Sequence, residues 1–285
     1  MKRGMTIILL IGFILSSSQV LANNARDYLP LPPGTFFLAL YYNHSFGNEY
    51  YSSGSKKSNS TNFVGNVSVL RPVYYTQLGP FTVDPQLLLP IGEVSLSGNQ
   101  SSGIGDATFA ATIWFVNNTE NRFIFAYTPF LTAPTGQYDR EAVINLGSNR
   151  WSTKHELCIA KGFGDRTWLE MSGYAQFYLD NDNALSSNNT KVTSSKEPTF
   201  GAESHLSYNF TKEFFGSLDY IFTGGGRTTL DGKEQNDWAS THNVGVSFAY
   251  MVTPQAQVMT AFSTDAATYN GIRTSTIMVR LGFIF

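Results

Sequence analysis

Two spacings along the chain would set an imidazole beside a hydroxyl: His205 with Ser207, and Ser240 with His242. Hydrolysis needs such a base and nucleophile, with an orienting group on a neighbouring element. Ser and Thr are abundant here, so a two-residue spacing arises by chance, and no Gly-x-Ser-x-Gly elbow accompanies either pair. The four histidines, His44, His155, His205 and His242, stand singly, and Cys158 has no partner at ligand spacing. Gly224-Gly225-Gly226 lacks the Lys-Ser/Thr of a phosphate loop and reads as the start of a flexible loop. No catalytic residue, metal site or cofactor is expected.

The remaining chemistry is a scattered ionisable set: Asp106, Lys154, Glu156, Glu170, Glu203, His205, Asp219 and Arg280. Trp168, Tyr174 and Tyr178 add aromatic surface. If these side chains share the inside of a barrel, two readings follow. Lys154 and Arg280 simply neutralise neighbouring carboxylates, or the set forms a selectivity wall with an aromatic lining for a hydrophobic solute.

The elements that must position them are strands. From Gly34 onward about twelve segments of roughly ten to fourteen residues alternate with a period of two, as tilted membrane strands require. Short turns at 76–80, 117–121, 164–166, 211–212 and 253–254 alternate with longer polar loops at 47–61, 96–104, 134–149, 181–197, 224–239 and 265–272. A membrane barrel sorts its connections this way, with tight turns on the periplasmic side. The segment 273–285 sets Ile277, Val279, Leu281, Phe283 and Phe285 against Thr274, Thr276, Met278, Arg280 and Gly282. Segment 198–210 opposes Phe200, Ala202, Leu206, Tyr208 and Phe210 to Glu203, His205, Ser207 and Asn209. Segment 240–252 opposes Val244, Val246, Phe248 and Tyr250 to Asn243, Gly245, Ser247 and Ala249. The apolar sets should face lipid. Two segments resist phasing. In 62–75, turning Asn66 and Ser68 inward sends Arg71 into lipid, and 122–133 carries aromatics on both faces.

The ends and composition agree with an exported barrel. Lys2 and Arg3, the apolar run Met5 to Leu15 and the exit Val20-Leu21-Ala22 read as a cleavable signal peptide over 1–22, with the mature chain starting at Asn23. Residues 23–34 then form a short periplasmic segment and 35–285 the barrel. No apolar stretch after the leader reaches the length of a membrane helix. Charged residues are 14% and aromatics 14% of the chain, which suits a wall with lipid on one side and water on the other. A net charge of −2 leaves no basic footprint for nucleic acid. Cys158 is alone, so no internal disulfide is expected.

Several ordered motifs resemble one family. They are Ala25-Arg26-Asp27-Tyr28-Leu29-Pro30-Leu31-Pro32-Pro33-Gly34-Thr35, Gly105-Asp106, Ala133-Pro134-Thr135-Gly136-Gln137-Tyr138-Asp139 and Asn145-Leu146-Gly147-Ser148-Asn149-Arg150-Trp151. Lys154, Glu156 and Leu157 follow, then Gly224-Gly225 through Asp231-Gly232. Together these are similar to the phenol-degradation meta-pathway family of outer-membrane transporters. The resemblance implies an all-β, antiparallel transmembrane barrel of the bacterial outer membrane, grouped with uptake of hydrocarbon or aromatic compounds, and carries over no catalytic residue. The expected partners are outer-membrane lipids, the barrel-assembly machinery that reads the terminal Phe285, and a small-molecule solute. The expected function is passive, porin-like passage of a small hydrophobic or aromatic compound. The alternatives are a closed structural or surface-interaction barrel, and an outer-membrane lipid-modifying enzyme. Long-chain fatty-acid transporters carry a substantial N-terminal plug; residues 23–33 are too few for such a hatch.

Overall fold

A computed structural model describes residues 23–186 and 188–285, so the expected leader lies outside the described residues. Among the described residues the barrel strands are β1 (Phe36–Ser52), β2 (Phe63–Tyr74), β3 (Phe81–Leu96), β4 (Thr108–Asn118), β5 (Phe123–Thr132) and β6 (Ser152–Phe163). They continue as β7 (Thr167–Tyr178), β8 (Thr199–Asn209), β9 (Phe214–Gly225), β10 (Ala239–Thr253), β11 (Ala256–Thr268) and β12 (Gly271–Ile284). Each pairs antiparallel with its neighbours in chain order. β12 returns to β1 in the register Phe37↔Ile284, Tyr41↔Arg280 and Ser45↔Thr276, which closes the cylinder. Closure satisfies every strand edge, as the lipid phase demands.

Alternation sets the faces. Ile277, Val279 and Leu281 of β12, Phe200, Leu206 and Tyr208 of β8, and Val244, Val246, Phe248 and Tyr250 of β10 are exposed on the lipid side. Their opposites Arg280, Glu203, His205, Ser207, Asn243 and Ser247 are buried inside. Both segments that resisted phasing now have a physical account. β2 turns Phe63, Val69 and Val73 inward, and Arg71 with them, while Ser68 and Leu70 face out. Asn66 stands on the outer face because Tyr42 Oη donates to its side-chain oxygen at 3.0 Å and His44 Nδ1 lies 2.8 Å away. β5 sends Ile124, Ala126, Thr128, Phe130 and Thr132 inward and leaves Phe125, Tyr127 and Leu131 outside.

The loops depart from expectation in two ways. Segments 181–197 and 224–239 are not plain polar loops. Asn181–Leu185, Lys191–Lys196, Thr228–Leu230 and Lys233–Glu234 pair into a separate four-stranded sheet. The expected long loop 265–272 shrinks to a tight turn, because β11 continues to Thr268 and β12 starts at Gly271, whose φ of 118° suits glycine. Short strands Ser55–Ser58 and Asn99–Ile104 likewise extend β1 and β3 as hairpins. The apolar core lies inside the cylinder. One cluster gathers Tyr28, Val73, Tyr75, Trp114, Ile124 and Ala126, and another gathers Tyr50, Phe63, Val94, Leu96, Ile144 and Ile272.

Candidate functional site

The lumen is occupied from both ends. Residues 23–34, expected as a periplasmic tail, instead fold back into the barrel from the short-turn side. The reason is charge and shape: the inward wall offers partners to the side chains of Asn23, Arg26, Asp27 and Tyr28 and to the backbone N–H groups of Arg26 and Tyr28. Glu170 accepts the backbone N–H of Arg26 at 2.6 Å and of Tyr28 at 3.4 Å. Arg26 donates to Ser207 at 3.1 Å and Asn209 at 2.6 Å, with its guanidinium 3.9 Å from the centre of the Phe215 ring. Asp27 bridges Arg280 at 2.8 Å and Arg71 at 3.0 Å. Tyr28 donates its hydroxyl to Glu156 and accepts the Trp114 indole N–H on its carbonyl at 2.9 Å. The prolines at 30, 32 and 33 carry no N–H, which suits a stretch outside any ladder. A dozen strands enclose a lumen small enough for this short segment to obstruct.

At the other end, loop 133–149 folds inward. Asp106, between Asn99–Ile104 and β4, accepts the backbone N–H of Gly136 at 2.9 Å and of Ser148 at 2.7 Å, and the Ser148 hydroxyl at 2.6 Å. Ala107 N–H donates to Thr135 Oγ1 at 2.9 Å and Gln137 N–H to the Ile104 carbonyl at 2.8 Å. Ile144 then packs against Tyr50, Phe63 and Ile272. A side chain at Gly147 would collide with the backbone of Gly136, so the two limbs of the loop touch.

Bordered by Asn23 and Asn24 of the N-terminal segment and reaching Lys196, Asn236 and Asn270 at the outer mouth, a cavity of about 310 Å³ lies in the lumen. One wall is apolar, with Phe63, Val67, Val69, Leu88 and Val94 from β2 and β3. The facing wall is polar, with His205, Asp219, Asn243 and Asp265. Asp219 accepts from Ser217, and His205 Nδ1 lies 2.7 Å from the same carboxylate. Asp265 is held by Asn243 at 3.0 Å and by Thr274 through its N–H at 2.8 Å and hydroxyl at 2.9 Å.

The expected lumen residues differ in what they touch. Tyr178, His205 and Asp219 border the cavity. Glu156, Glu170, Glu203 and Arg280 contact the N-terminal segment. Asp106 clamps the loop and does not stand on a strand. Lys154 pairs with Glu156 at 3.1 Å and sits 4.1 Å from the ring centre of Phe130 and 5.0 Å from that of Tyr174. Tyr174 lies over Gly201 on β8 and its hydroxyl is 3.3 Å from Thr223 Oγ1. Tyr178 donates to Thr199 at 3.0 Å. Trp168 carries the Arg122 guanidinium 4.6 Å above its ring, near the short-turn rim. Sequence reasoning missed Arg71, Asp27, the apolar wall and the inward loop. The available signals were the misfit of Arg71 on a lipid-facing phase and the motifs that contain Asp27 and the loop residues.

The paired hydroxyl and imidazole spacings do not become a hydrolytic triad. Ser207 accepts from Arg26 Nε, and His242 faces outward with its Nδ1 2.7 Å from Tyr220 Oη.

The comparisons with known proteins agree with this architecture. Residues 47–281 match the family described as "Putative MetA-pathway of phenol degradation". The chain belongs to this family. A crystal structure of an outer-membrane channel from Pseudomonas putida F1 superposes with a TM-score of 0.88 at 31% identity, covering 93% of this chain and 100% of that one. The TodX monoaromatic hydrocarbon channel, as a deletion mutant, matches at 9% identity and a TM-score of 0.49, over 89% of this chain and 90% of that one. The translocator domain of the autotransporter NalP from Neisseria meningitidis matches at 10% identity and a TM-score of 0.49, over 89% of each chain. Among curated proteins no sequence matches. Family and fold place the protein in the bacterial outer membrane. Three of the motifs that carry the family resemblance meet in space, since Gly105-Asp106, Gly136 and Gly147-Ser148 build the inward loop.

At the outer mouth Lys196 lies over Tyr178, 4.6 Å from its ring centre. Burial, followed by the charge of Arg150, pushes its ammonium down to about 7. Below that pH the mouth carries the extra positive charge; above it the charge is lost. Reversal potentials in a salt gradient should therefore shift toward cations as pH rises through about 7, and Lys196→Met should remove that step.

Proposed function

We propose that the barrel passively passes a small apolar or aromatic solute, which crosses through the two-sided cavity. The observation that carries this reading is the apolar wall of Phe63, Val67, Val69, Leu88 and Val94 inside a membrane barrel. An ordinary aqueous pore has a polar interior, whereas here a planar ring can lie on aliphatic side chains while a polar substituent meets His205 or Asp219. The solute's own concentration gradient drives passage. Outer-membrane lipids surround the outer face, and the barrel-assembly machinery handles the Phe285 end. The family's association with phenol degradation points the same way.

Proteoliposomes loaded for flux measurements test this. Small aromatic compounds should permeate faster than sugars of similar size. Val69→Asp should slow the aromatic flux about tenfold, because a carboxylate on that wall costs a desolvated ring more than about 1 kcal/mol of contact. Ion conductance should change far less. No flux and no conductance from a folded barrel would favour the closed structural reading; sugar and aromatic fluxes that fall together would remove the apolar wall from the mechanism.

A further inference from the structure

The backbone nitrogen of Asn23 lies 3.0 Å from a carboxylate oxygen of Glu203. The Asn23 side-chain amide donates to Glu156 at 2.5 Å and to the same Glu203 oxygen at 3.4 Å. Glu203 is only 3% exposed. Its neighbours have counter-charges: Glu156 has Lys154, and Asp27 has Arg71 and Arg280. Among the described residues no lysine or arginine forms an ion pair with Glu203. His205 Nε2 stands 3.7 Å away while its Nδ1 meets Asp219 at 2.7 Å, so one imidazole is shared between two carboxylates and, even when charged, leaves the group one positive charge short. A carboxylate buried this deeply is costly unless a cation or several donors face it.

We propose that the missing counter-charge is the α-ammonium group released at Asn23 when the leader is removed, so that Glu203 is the receptor for the mature N-terminus and the segment locks into the lumen only after processing. Water hydrolyses the Ala22–Asn23 peptide bond; Ala22 departs as a carboxylate and the Asn23 nitrogen becomes an amine that takes up a proton near neutral pH. One neutral amide N–H is thereby replaced by a cation with three donors at the same point. One donor faces Glu203, and the charge assists that bond. Processing thus removes the charge deficit at Glu203. This inference rests on the leader boundary and on the lumen geometry; it is independent of which solute passes.

The test uses the purified, folded, full-length mature protein. Its intact mass should correspond to a chain beginning at Asn23. An amine reagent used near neutral pH, where α-amines outcompete lysines, should label that nitrogen about tenfold more slowly in the folded barrel than in the denatured chain. Glu203→Gln should bring the folded rate close to the denatured one. A second variant inserts Gly-Ser-Gly between Ala22 and Asn23, so that cleavage leaves an end out of register; it should label freely while the barrel stays heat-modifiable on gels. A different first residue, or equal labelling of folded and denatured wild type, would overturn the proposal. So would a folded Glu203→Gln barrel that remains protected. If Glu203→Gln does not fold, the extended variant decides, and protection of its end overturns the proposal. None of these readings depends on conductance, so a barrel that fails to conduct leaves the result interpretable.

Discussion

Deleting residues 24–31 from the mature chain should raise single-channel conductance severalfold while leaving a folded, heat-modifiable barrel. The strands close without this segment, because the seam from Phe37↔Ile284 to Tyr51↔Gly271 is made by β1 and β12 alone. What the segment contributes is obstruction. It crosses the lumen from Trp114 and Glu170 on one side to Arg71 and Arg280 on another. Its loss exposes the pocket that held Tyr28, at a cost of about 2–3 kcal/mol of apolar burial. That cost is small against the pairing of a closed barrel. The freed carboxylates Glu156, Glu170 and Glu203 would then face water and need no buried partner. A milder variant, Asp27→Asn, leaves Arg71 and Arg280 buried without their shared anion, which should loosen the segment rather than remove it. Recordings in planar bilayers separate the cases. Conductance unchanged by the deletion would place the narrowest point at loop 133–149, where Asp106 holds Gly136 and Ser148.

The lipid faces of β8, β10 and β12 were legible because hydrocarbon tolerates only one kind of residue there, and a period of two marks it over each whole strand. β2 escaped that logic for a physical reason. Its inner face meets an apolar cavity, so Val67 and Val69 turn inward, and its outer face carries Asn66 bonded to Tyr42. Polarity was therefore a false guide to direction, and Arg71 alone pointed the right way. β5 was ambiguous because Phe130 faces inward beside Lys154 while Phe125 and Tyr127 face out. The inward charges Glu156, Glu170, Glu203 and Arg280 could be read from alternation, yet their partners could not. Asn23 and Glu203 are 180 positions apart, and no local periodicity carries a contact of that kind. The loop sheet of 181–196 and 228–234 was hidden similarly, since its strands are short and polar on both faces.

Leu206→Arg should sharply reduce the yield of folded protein, whereas Ser68→Leu should be close to neutral, although a plain reading of polarity would rank the second change as the one that disturbs the lumen. Leu206 is 45% exposed on the lipid face, opposite Leu169 and Leu218 in the ladder. A guanidinium there would enter hydrocarbon, with a cost of roughly 2–4 kcal/mol near mid-membrane. Ser68 lies on the same outer side, opposite Tyr42 and Ile91, both exposed. Leucine at that position meets lipid and aliphatic neighbours, so the expected change is within about 0.5 kcal/mol or slightly stabilising. Denaturant titrations of refolded barrels in lipid vesicles measure both. Cysteine labelling in a Cys158→Ser background reads the same phase without altering stability much. A cysteine at 205 should react with a small water-soluble reagent through the cavity, and one at 206 should stay unreactive in lipid. A cysteine at 203 should be shielded by Asn23 and become reactive when the N-terminal segment is deleted, because Glu203 borders that segment while His205 borders the cavity. Reaction at 206 with silence at 205 would invert β8 and, with it, the wall to which the N-terminal segment is bound.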